Sequence, residues 1–399
     1  MGTIAWTWLL VAATLALSVS IAIWARARTT NAYYVAERQV PPVVNGLATA
    51  ADWMSAATFI SMAGLVAVRG RDGAAYLMGW TGGYVLLAVL LAPYLRKYGK
   101  YMVPQFVGDR YDSGAARLVA LGCALVVSLT YLAGQVSGVA VVLARFLDVP
   151  VQAGVVLGTV VIFVYAASGG MKSLTYTQVA QYVLLIVAYL VPAALVSHQL
   201  TGRWVPQLGL GASLGAEGSA LLGAPAGQPL LDVVDGIARD LGFGRYTAGV
   251  RPRADVFCTT VALMVGTAGL PHILVRFFTV PKVRDARASA AWALAFVAVL
   301  YTAAPAVAAF SRVGLAHALD GRPRAEAPAW FVAWERTGLA RFDDRNGDGR
   351  MTISADPARN EVTLDSDLLV LATPGSRRGW SRSSPPARSR RRPPPPPGS

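Results

Sequence analysis

The segment Val265-Gly-Thr-Ala-Gly-Leu-Pro-His-Ile-Leu-Val-Arg-Phe-Phe278 is apolar enough to enter a membrane, but it is poorly suited to one continuous helix. Gly266, Gly269 and Pro271 lie close together, and both residue types disfavour a helix interior. A break frees backbone groups that lipid cannot hydrogen-bond, so these groups must face protein or a water-filled cavity. The segment therefore predicts an interrupted transmembrane helix beside a polar site.

A second segment of the same character runs from Asn45 to Ser61, with the sequence NGLATAADWMSAATFIS. It places Asp52, Ser55, Thr58 and Ser61 three residues apart, along one helical face that is otherwise apolar. A charged aspartate near the middle of a bilayer costs about 2.5–3.5 kcal/mol, so it needs a partner, water or a cation. The alternative is an aspartate near a helix end that is hydrogen-bonded to a neighbouring helix.

The composition places the whole chain in a membrane. Of its 399 residues 54% are apolar and 15% charged, whereas soluble domains carry about 25% charged residues. Apolar runs of about 20 residues, the length that crosses a bilayer, recur along the chain. We predict an all-α, polytopic membrane protein with spans at 3–25, 44–68, 76–95, 118–146, 151–167, 175–197, 255–278 and 290–318.

The distribution of basic residues predicts the orientation. Lys and Arg concentrate in the short loops 26–43, 96–117, 168–174 and 279–289, whereas the opposite short loops hold only Arg69 and Arg71. The positive-inside rule then predicts an extracytoplasmic N-terminus in the inner (plasma) membrane. Ile4–Ile23 is expected to be a retained first helix, because no basic residue precedes it.

The net charge of +14 does not indicate nucleic-acid binding, because its largest concentration is the arginine- and proline-rich tail 375–399. That tail is predicted to be disordered. The partners expected are the lipid bilayer and a small solute, with no nucleic acid and no obligate protein partner.

Three stretches carry a resemblance to a known family. They are AADWMSAATF at 50–59, Gly169-Gly170-Met171, and GTAGLPHILVRFFTV at 266–280. Over about residues 30–318 the chain resembles the sodium/solute symporter family, and it is most similar there to the cation/acetate symporters (acetate permeases). The resemblance implies sodium-coupled symport of acetate or a similar short-chain monocarboxylate across the plasma membrane. Pyruvate, propionate and proline are the alternative solutes.

The family plan also implies the fold, an inverted repeat of five plus five core helices after one extra N-terminal helix. On this plan 1–25 is the extra helix, 44–197 is the first repeat, and 255–318 holds core helices six and seven. The stretches 198–254 and 319–366 are extracytoplasmic loops. The second repeat is incomplete, because the chain enters its tail where the eighth core helix is expected. We therefore expect a truncated or frame-shifted chain with impaired transport.

The resemblance further implies a sodium site and a substrate site. Sodium is expected at the backbone carbonyls of Ala51 and Met54 with Ser55 adjacent, its remaining ligands belonging to the absent eighth helix. Gln178 stands where sugar- and proline-type relatives have aspartate, which weighs against sugars. The residues expected to line the substrate site are Asp52, Trp53, Tyr131, Gln135, Thr267 and Gly269.

The loop Asp344-Arg-Asn-Gly-Asp-Gly-Arg-Met351 resembles the first part of an EF-hand calcium loop. The candidate ligand positions are Asp344, Asn346, Asp348 and Arg350. Position 12 of such a loop is Ala355 instead of glutamate, with Asp356 next to it. The alternatives are a calcium ion acting as a structural clip and a plain acidic turn.

Two other classes of function compete with transport. A membrane enzyme needs paired carboxylates or a metal cluster at membrane depth, but His198, His272 and His317 fall in three separate segments. A symporter-like sensor needs a cytoplasmic signalling module after the helices. We therefore expect a transporter and no enzyme, with an inactive fragment of such a protein as the further alternative.

Overall fold

The fold was analysed in a computed structural model, which describes residues 3–55, 58, 61–99, 102–147, 150–336 and 338–365. The predicted approach to a further helix at 367–374 and the tail 375–399 lie outside these residues. The helices are α1 Thr3–Trp24, α2 Thr30–Val35, α3 Pro42–Trp53, α4 Met62–Arg69, α5 Ala74–Leu86, α6 Ala92–Tyr98, α7 Val103–Tyr111, α8 Gly114–Leu147, α9 Val151–Thr201, α10 Pro206–Leu210, α11 Ala216–Leu222, α12 Leu230–Asp240, α13 Arg253–Ala268, α14 Pro271–Leu274, α15 Val283–Leu319 and α16 Ala329–Glu335.

Short irregular elements complete the chain. Leu87–Leu91 is a π-helical turn joining α5 to α6, and a two-stranded antiparallel sheet pairs β1 Ala340–Phe342 with β2 Val362–Leu364. The 3-10 turns are Ala36–Arg38, Gly70–Gly73, Val275–Phe278 and Arg324–Glu326. The all-α prediction is confirmed, with this small sheet as its one departure in the described part of the chain.

Every segment that the sequence predicts to cross the membrane contains helix in its described residues, but 44–68 is interrupted between α3 and α4. Four described helices are long and apolar enough to span a bilayer: 62–98, 114–140, 169–210 and 283–319. A fifth span is the bent pair of Arg253–Ala268 and Pro271–Phe278, which meet at 49°. Leu9–Trp24 and Val151–Phe163 are apolar but shorter. The predicted loop 26–43 also contains a helix, α2.

Helix α3 lies in the core of the bundle. It packs against α15 and α9, while α13 packs against α5. Glycines permit both close approaches: a Cβ on Gly46 of α3 would lie 2.7 Å from Cβ of Trp292, and one on Gly83 of α5 would lie 2.7 Å from Cβ of Thr267. Because lipid gives no hydrophobic drive for helix association, such close packing contributes much of the stability.

Helix α9 contains a sharp bend where the sequence predicts a cytoplasmic loop at 168–174. Gly170 has φ +65°, and a Cβ there would lie 2.8 Å from the Tyr33 ring. Glycine adopts this left-handed backbone without a steric penalty. The predicted loop is therefore a kink between two helices, packed against α2.

The long polar stretches pack onto the helical bundle. Buried side chains of 198–254, among them Leu214 and Leu230, join the same apolar core as the membrane helices. Asp72, after α4, accepts hydrogen bonds from the backbone amides of Val250 (2.9 Å) and Arg251 (3.1 Å). These stretches are therefore extensions of the bundle rather than independent domains.

Asp235 organises the end of the stretch 198–254. Its buried carboxylate accepts hydrogen bonds from the Thr247 amide (2.9 Å) and hydroxyl (2.6 Å) and forms a 3.0 Å ion pair with Arg245. Burial acts to raise the pKa of this carboxyl, but the bonds from Thr247 and Arg245 outweigh burial, so the pKa lies below its ordinary value.

A lowered pKa means that Asp235 stabilises the fold while it is ionised, so its contribution is complete above about pH 5 and is lost as the pH falls below about 4, through the lowered pKa. We expect Asp235→Asn to destabilise the segment 230–250 by about 1–3 kcal/mol at pH 7 and to reduce its acid sensitivity. Amide hydrogen exchange of this segment from pH 7 down to about pH 2 measures both effects. Asp232→Asn, an exposed change in the same helix, is the matched control, and equal behaviour of the two variants contradicts the assignment.

Candidate functional site

A buried ion pair lies where the two broken segments meet. Nε of Arg276 lies 2.6 Å from Oδ2 of Asp52, and the two side chains are 3% and 13% exposed. Asp52 belongs to the last turn of α3, and Arg276 follows the bend between α13 and α14. The aspartate thus has the charged partner that its depth requires.

Two polar side chains of α9 complete the cluster. Gln178 donates from Nε2 to Oδ1 of Asp52, and its Oε1 accepts from Nη2 of Arg276. Nη1 of Arg276 donates to the Thr175 hydroxyl at 2.8 Å. All three guanidinium nitrogens therefore have acceptors, which a desolvated charge needs to be tolerated in a core.

A second buried layer holds the backbone of Arg276 in place. Asn45 of α3 donates from Nδ2 to the Arg276 carbonyl (3.2 Å) and to the Ser289 hydroxyl of α15 (2.7 Å). The Thr279 hydroxyl donates to Oδ1 of Asn45 at 3.0 Å. One asparagine thus joins α3, α15 and the segment after the bend.

The first broken segment departs from the predicted helical face. Helix α3 ends at Trp53, Met54 has φ −78° and ψ 47°, and α4 starts at Met62. Asp52, Ser55, Thr58 and Ser61 therefore do not share one continuous face, as the spacing predicted. The Met54 amide still donates to the Ala50 carbonyl (2.9 Å). Because the helix ends there, the carbonyls after Ala50 lack the amide donors that a continuing helix would supply.

Residues 33–318 match the sodium:solute symporter family. The chain belongs to that family. It is 36% identical over 453 residues to an uncharacterized symporter of Cupriavidus necator, an alignment that covers 90% of this chain and 65% of that protein. This symporter-family chain therefore spans just under two thirds of that curated relative.

The fold of this family member is also similar to a solved structure, described as the substrate-bound outward-open state of a Na+-coupled sialic acid symporter. The TM-score is 0.59 with 13% sequence identity, over 95% of this chain and 70% of that one. At this identity the likeness shows a helical transporter fold.

The structure of this symporter-family chain brings part of the predicted site together. The Tyr131 ring of α8 stacks on the His272 ring of α14 at 4.2 Å between centroids, and Tyr131 hydrogen-bonds Ser55 at the α3 break. Both broken segments thus meet α8. Gln135, one turn further along α8, is half-buried.

Other predicted residues lie apart from this contact. Trp53 is buried against Tyr84 of α5, with ring centroids 5.0 Å apart, and it hydrogen-bonds Tyr301 of α15. Thr267 is buried at the α5 interface and donates its hydroxyl to the Leu263 carbonyl (2.5 Å). Gly269 is exposed at the end of α13. Their roles in substrate binding stay predictions.

Sequence reasoning missed the cation and its supports. Arg276 is a charged residue within an apolar segment, and the rule that such a residue marks a functional site applies to it as it does to Asp52. Asn45 and Thr175 had no comparable signal, because single polar residues in apolar helices are common. The sequence analysis compared Gln178 with the aspartate of sugar- and proline-type relatives. It did not predict that Gln178 hydrogen-bonds both Asp52 and Arg276.

The predicted calcium loop forms a tight turn held by its own side chains. Asp344 accepts from the amides of Gly347 (2.9 Å) and Gly349 (3.1 Å), and Asn346 accepts from Asp348 (2.8 Å). The Arg350 side chain points elsewhere, donating to the carbonyl of Gly321 at 2.8 Å.

The buried pair yields a stability prediction. Asp52→Asn leaves the Arg276 charge buried with neutral partners only, so we expect a loss of about 3–5 kcal/mol, measured by thermal or denaturant unfolding in detergent. The double variant with Arg276→Gln should lose less than the sum of the single losses, because neither charge remains.

The matched control is the half-exposed pair of Glu37 and Lys172, 3.0 Å apart, whose Lys172→Gln variant should lose at most about 1 kcal/mol. Additive losses at Asp52 and Arg276 would show that the two charges do not depend on each other.

Proposed function

We propose that this protein is a secondary active transporter that couples the sodium gradient to uptake of acetate or a similar short-chain monocarboxylate across the plasma membrane. The observation that carries the proposal is the meeting of two broken helical segments at one buried polar cluster. Such breaks place backbone groups and polar side chains at membrane depth without exposing them to lipid. Membership of a symporter family supports the same activity.

Sodium is assigned to the break after α3. A hard cation takes oxygen ligands, and the end of α3 turns backbone carbonyls away from helical donors. We assign Ala51 and Met54 as carbonyl ligands and Ser55 as a hydroxyl ligand, with further oxygens required beyond these. The contact between Ser55 and Tyr131 links this position to α8.

The solute is assigned to the neighbouring space bounded by α3, α8 and α14. The charges of Asp52 and Arg276 neutralise each other, so the site presents hydrogen-bonding groups rather than net charge. Co-transport of a sodium ion with a monocarboxylate anion moves no net charge into this site. The likeness of 266–280 to acetate permeases supports a short monocarboxylate.

The function is tested in proteoliposomes holding the purified protein, by uptake of radiolabelled acetate under an inward sodium gradient. We expect sodium-stimulated uptake at an impaired rate, because Ala51, Met54 and Ser55 alone do not complete a sodium site. Excess propionate should compete with acetate, and excess glucose should not. A parallel measurement of ²²Na binding to the detergent-solubilised protein reports the ion site independently of transport. Uptake driven by a proton gradient with no response to sodium contradicts the proposed coupling.

The ion assignment makes a separate prediction. Ser55→Ala removes one oxygen, so the sodium concentration for half-maximal binding should rise several-fold while the acetate KM at saturating sodium changes little. Ser61→Ala, in the same segment but outside the assigned ligands, should behave as the unaltered protein. A sodium affinity unchanged by Ser55→Ala removes this residue from the site.

A further inference from the structure

The region between β1 and β2 contains a cluster of acidic side chains that transport does not explain. Candidate ligand oxygens of Asp344, Asp348 and Glu361 all lie within 4.8 Å of one another. Asp344 and Asp348 are exposed, and Glu361 reaches them from the far end of the loop, next to β2. Three carboxylates this close repel one another unless a cation lies between them.

The nearby guanidinium groups do not supply that cation. Nε of Arg345 pairs with Asp343 at 3.2 Å, and its Nη1 donates to the Pro357 carbonyl. Arg350 donates to the Gly321 carbonyl. Arg345 and Arg350 are thus engaged with other acceptors. Arg359, the third arginine between β1 and β2, is exposed and forms no ion pair with the cluster among the described residues.

The burial of the Glu361 side chain is an independent observation that points to a cation site. The residue is 3% exposed, and its Oε1 accepts from the amides of Arg345 and Asn346, both at 3.3 Å. Its Oε2 is buried and has no hydrogen-bond partner among the described residues. Leaving a charged oxygen desolvated and unpaired is costly, whereas a metal ion satisfies it.

The backbone of Glu361 holds this side chain in position from both sides. Its carbonyl accepts from the Asp343 amide (2.9 Å) at the start of the loop, and its amide donates to the Thr352 carbonyl (2.9 Å) beyond the turn. The carboxylate therefore closes the turn formed by Asp344 and Asp348.

The chemistry of the cluster selects calcium. Ca²⁺ takes six to eight oxygens at about 2.3–2.6 Å, so ligands on opposite sides of the ion lie about 4.6–5.2 Å apart, which matches this spacing. The described cluster contains no histidine or cysteine, the ligands that favour zinc and other transition metals. Asp344, Asn346 and Asp348 also occupy positions 1, 3 and 5 of an EF-hand-like turn.

We infer that this loop binds one calcium ion through Asp344, Asp348 and Glu361, with Glu361 in the closing role that a glutamate has at position 12 of an EF-hand loop, where this chain has Ala355. Ala355 instead donates its amide to the Leu241 carbonyl (2.9 Å), and Asp356 accepts from the Ala358 amide (3.0 Å). Leu241 belongs to the stretch 198–254, so this backbone bond joins the ion-binding loop to the other polar stretch.

The test uses the purified full chain in detergent, titrated with Ca²⁺ after chelator treatment and followed by isothermal calorimetry and thermal unfolding. We expect saturable binding with a Kd of about 10⁻⁴–10⁻³ M, the range of extracellular calcium modules, and a higher Tm with Ca²⁺ than with equal Mg²⁺. Limited proteolysis within 343–361 should slow when Ca²⁺ is present.

Three variants separate this site from a general acidic surface. Glu361→Gln and Asp344→Asn should each weaken binding by about tenfold or more, because ligand charge sets affinity in such sites. Asp356→Asn removes the same charge from the same loop outside the cluster, and its affinity should stay within about twofold of the unaltered protein. Asp344 is exposed, so its variant keeps the test valid if Glu361→Gln folds poorly.

Stability in chelator distinguishes a ligand role from a packing role. Without calcium, Glu361→Gln should be at least as stable as the unaltered protein, because the change removes repulsion and a buried charge. Absence of saturable binding up to about 10 mM Ca²⁺, well above the expected range, overturns the inference. It is equally overturned if Glu361→Gln and Asp344→Asn bind as tightly as the unaltered protein, or if Asp356→Asn binds as weakly as they do.

Discussion

The buried pair of Asp52 and Arg276 is the interaction on which the centre of this structure depends. Each charge alone would be intolerable at such low exposure, and each lies on a segment whose helix is broken. Their attraction holds the end of α3 against the segment after α14. Gln178 and Thr175 then fix α9 to the same point.

The pair also explains how the helix breaks are tolerated. A break exposes backbone groups, and these are acceptable only where protein or water satisfies them. Here Asn45 covers the Arg276 carbonyl, and Tyr131 meets Ser55 at the other break. The polar groups therefore form one connected region instead of scattered defects, which is the arrangement that a solute and ion pathway requires.

In the polar stretches outside the membrane helices, buried carboxylates are likewise stabilised by specific hydrogen bonds and ion pairs. Asp72 and Asp235 are buried carboxylates: Asp72 accepts from two backbone amides, and Asp235 accepts from an amide, a hydroxyl and a neighbouring arginine. Glu361 differs, because one of its oxygens is buried with no partner among the described residues. That contrast between otherwise similar carboxylates is why the loop at 343–361 points to a metal ion and the other two sites do not.

The amino-acid sequence alone was enough to predict the helical membrane fold, the helix break near Gly269 and the family. Hydrophobic run length and the local preferences of Gly and Pro are properties of adjacent residues. It also singled out Asp52, since a carboxylate in an apolar run is anomalous wherever it folds. The tertiary structure decided the partners: Arg276 for Asp52, more than 200 positions away, and Glu361 for Asp344 and Asp348 across a hairpin. Such pairings depend on how distant segments pack, and neither spacing nor composition contains that information.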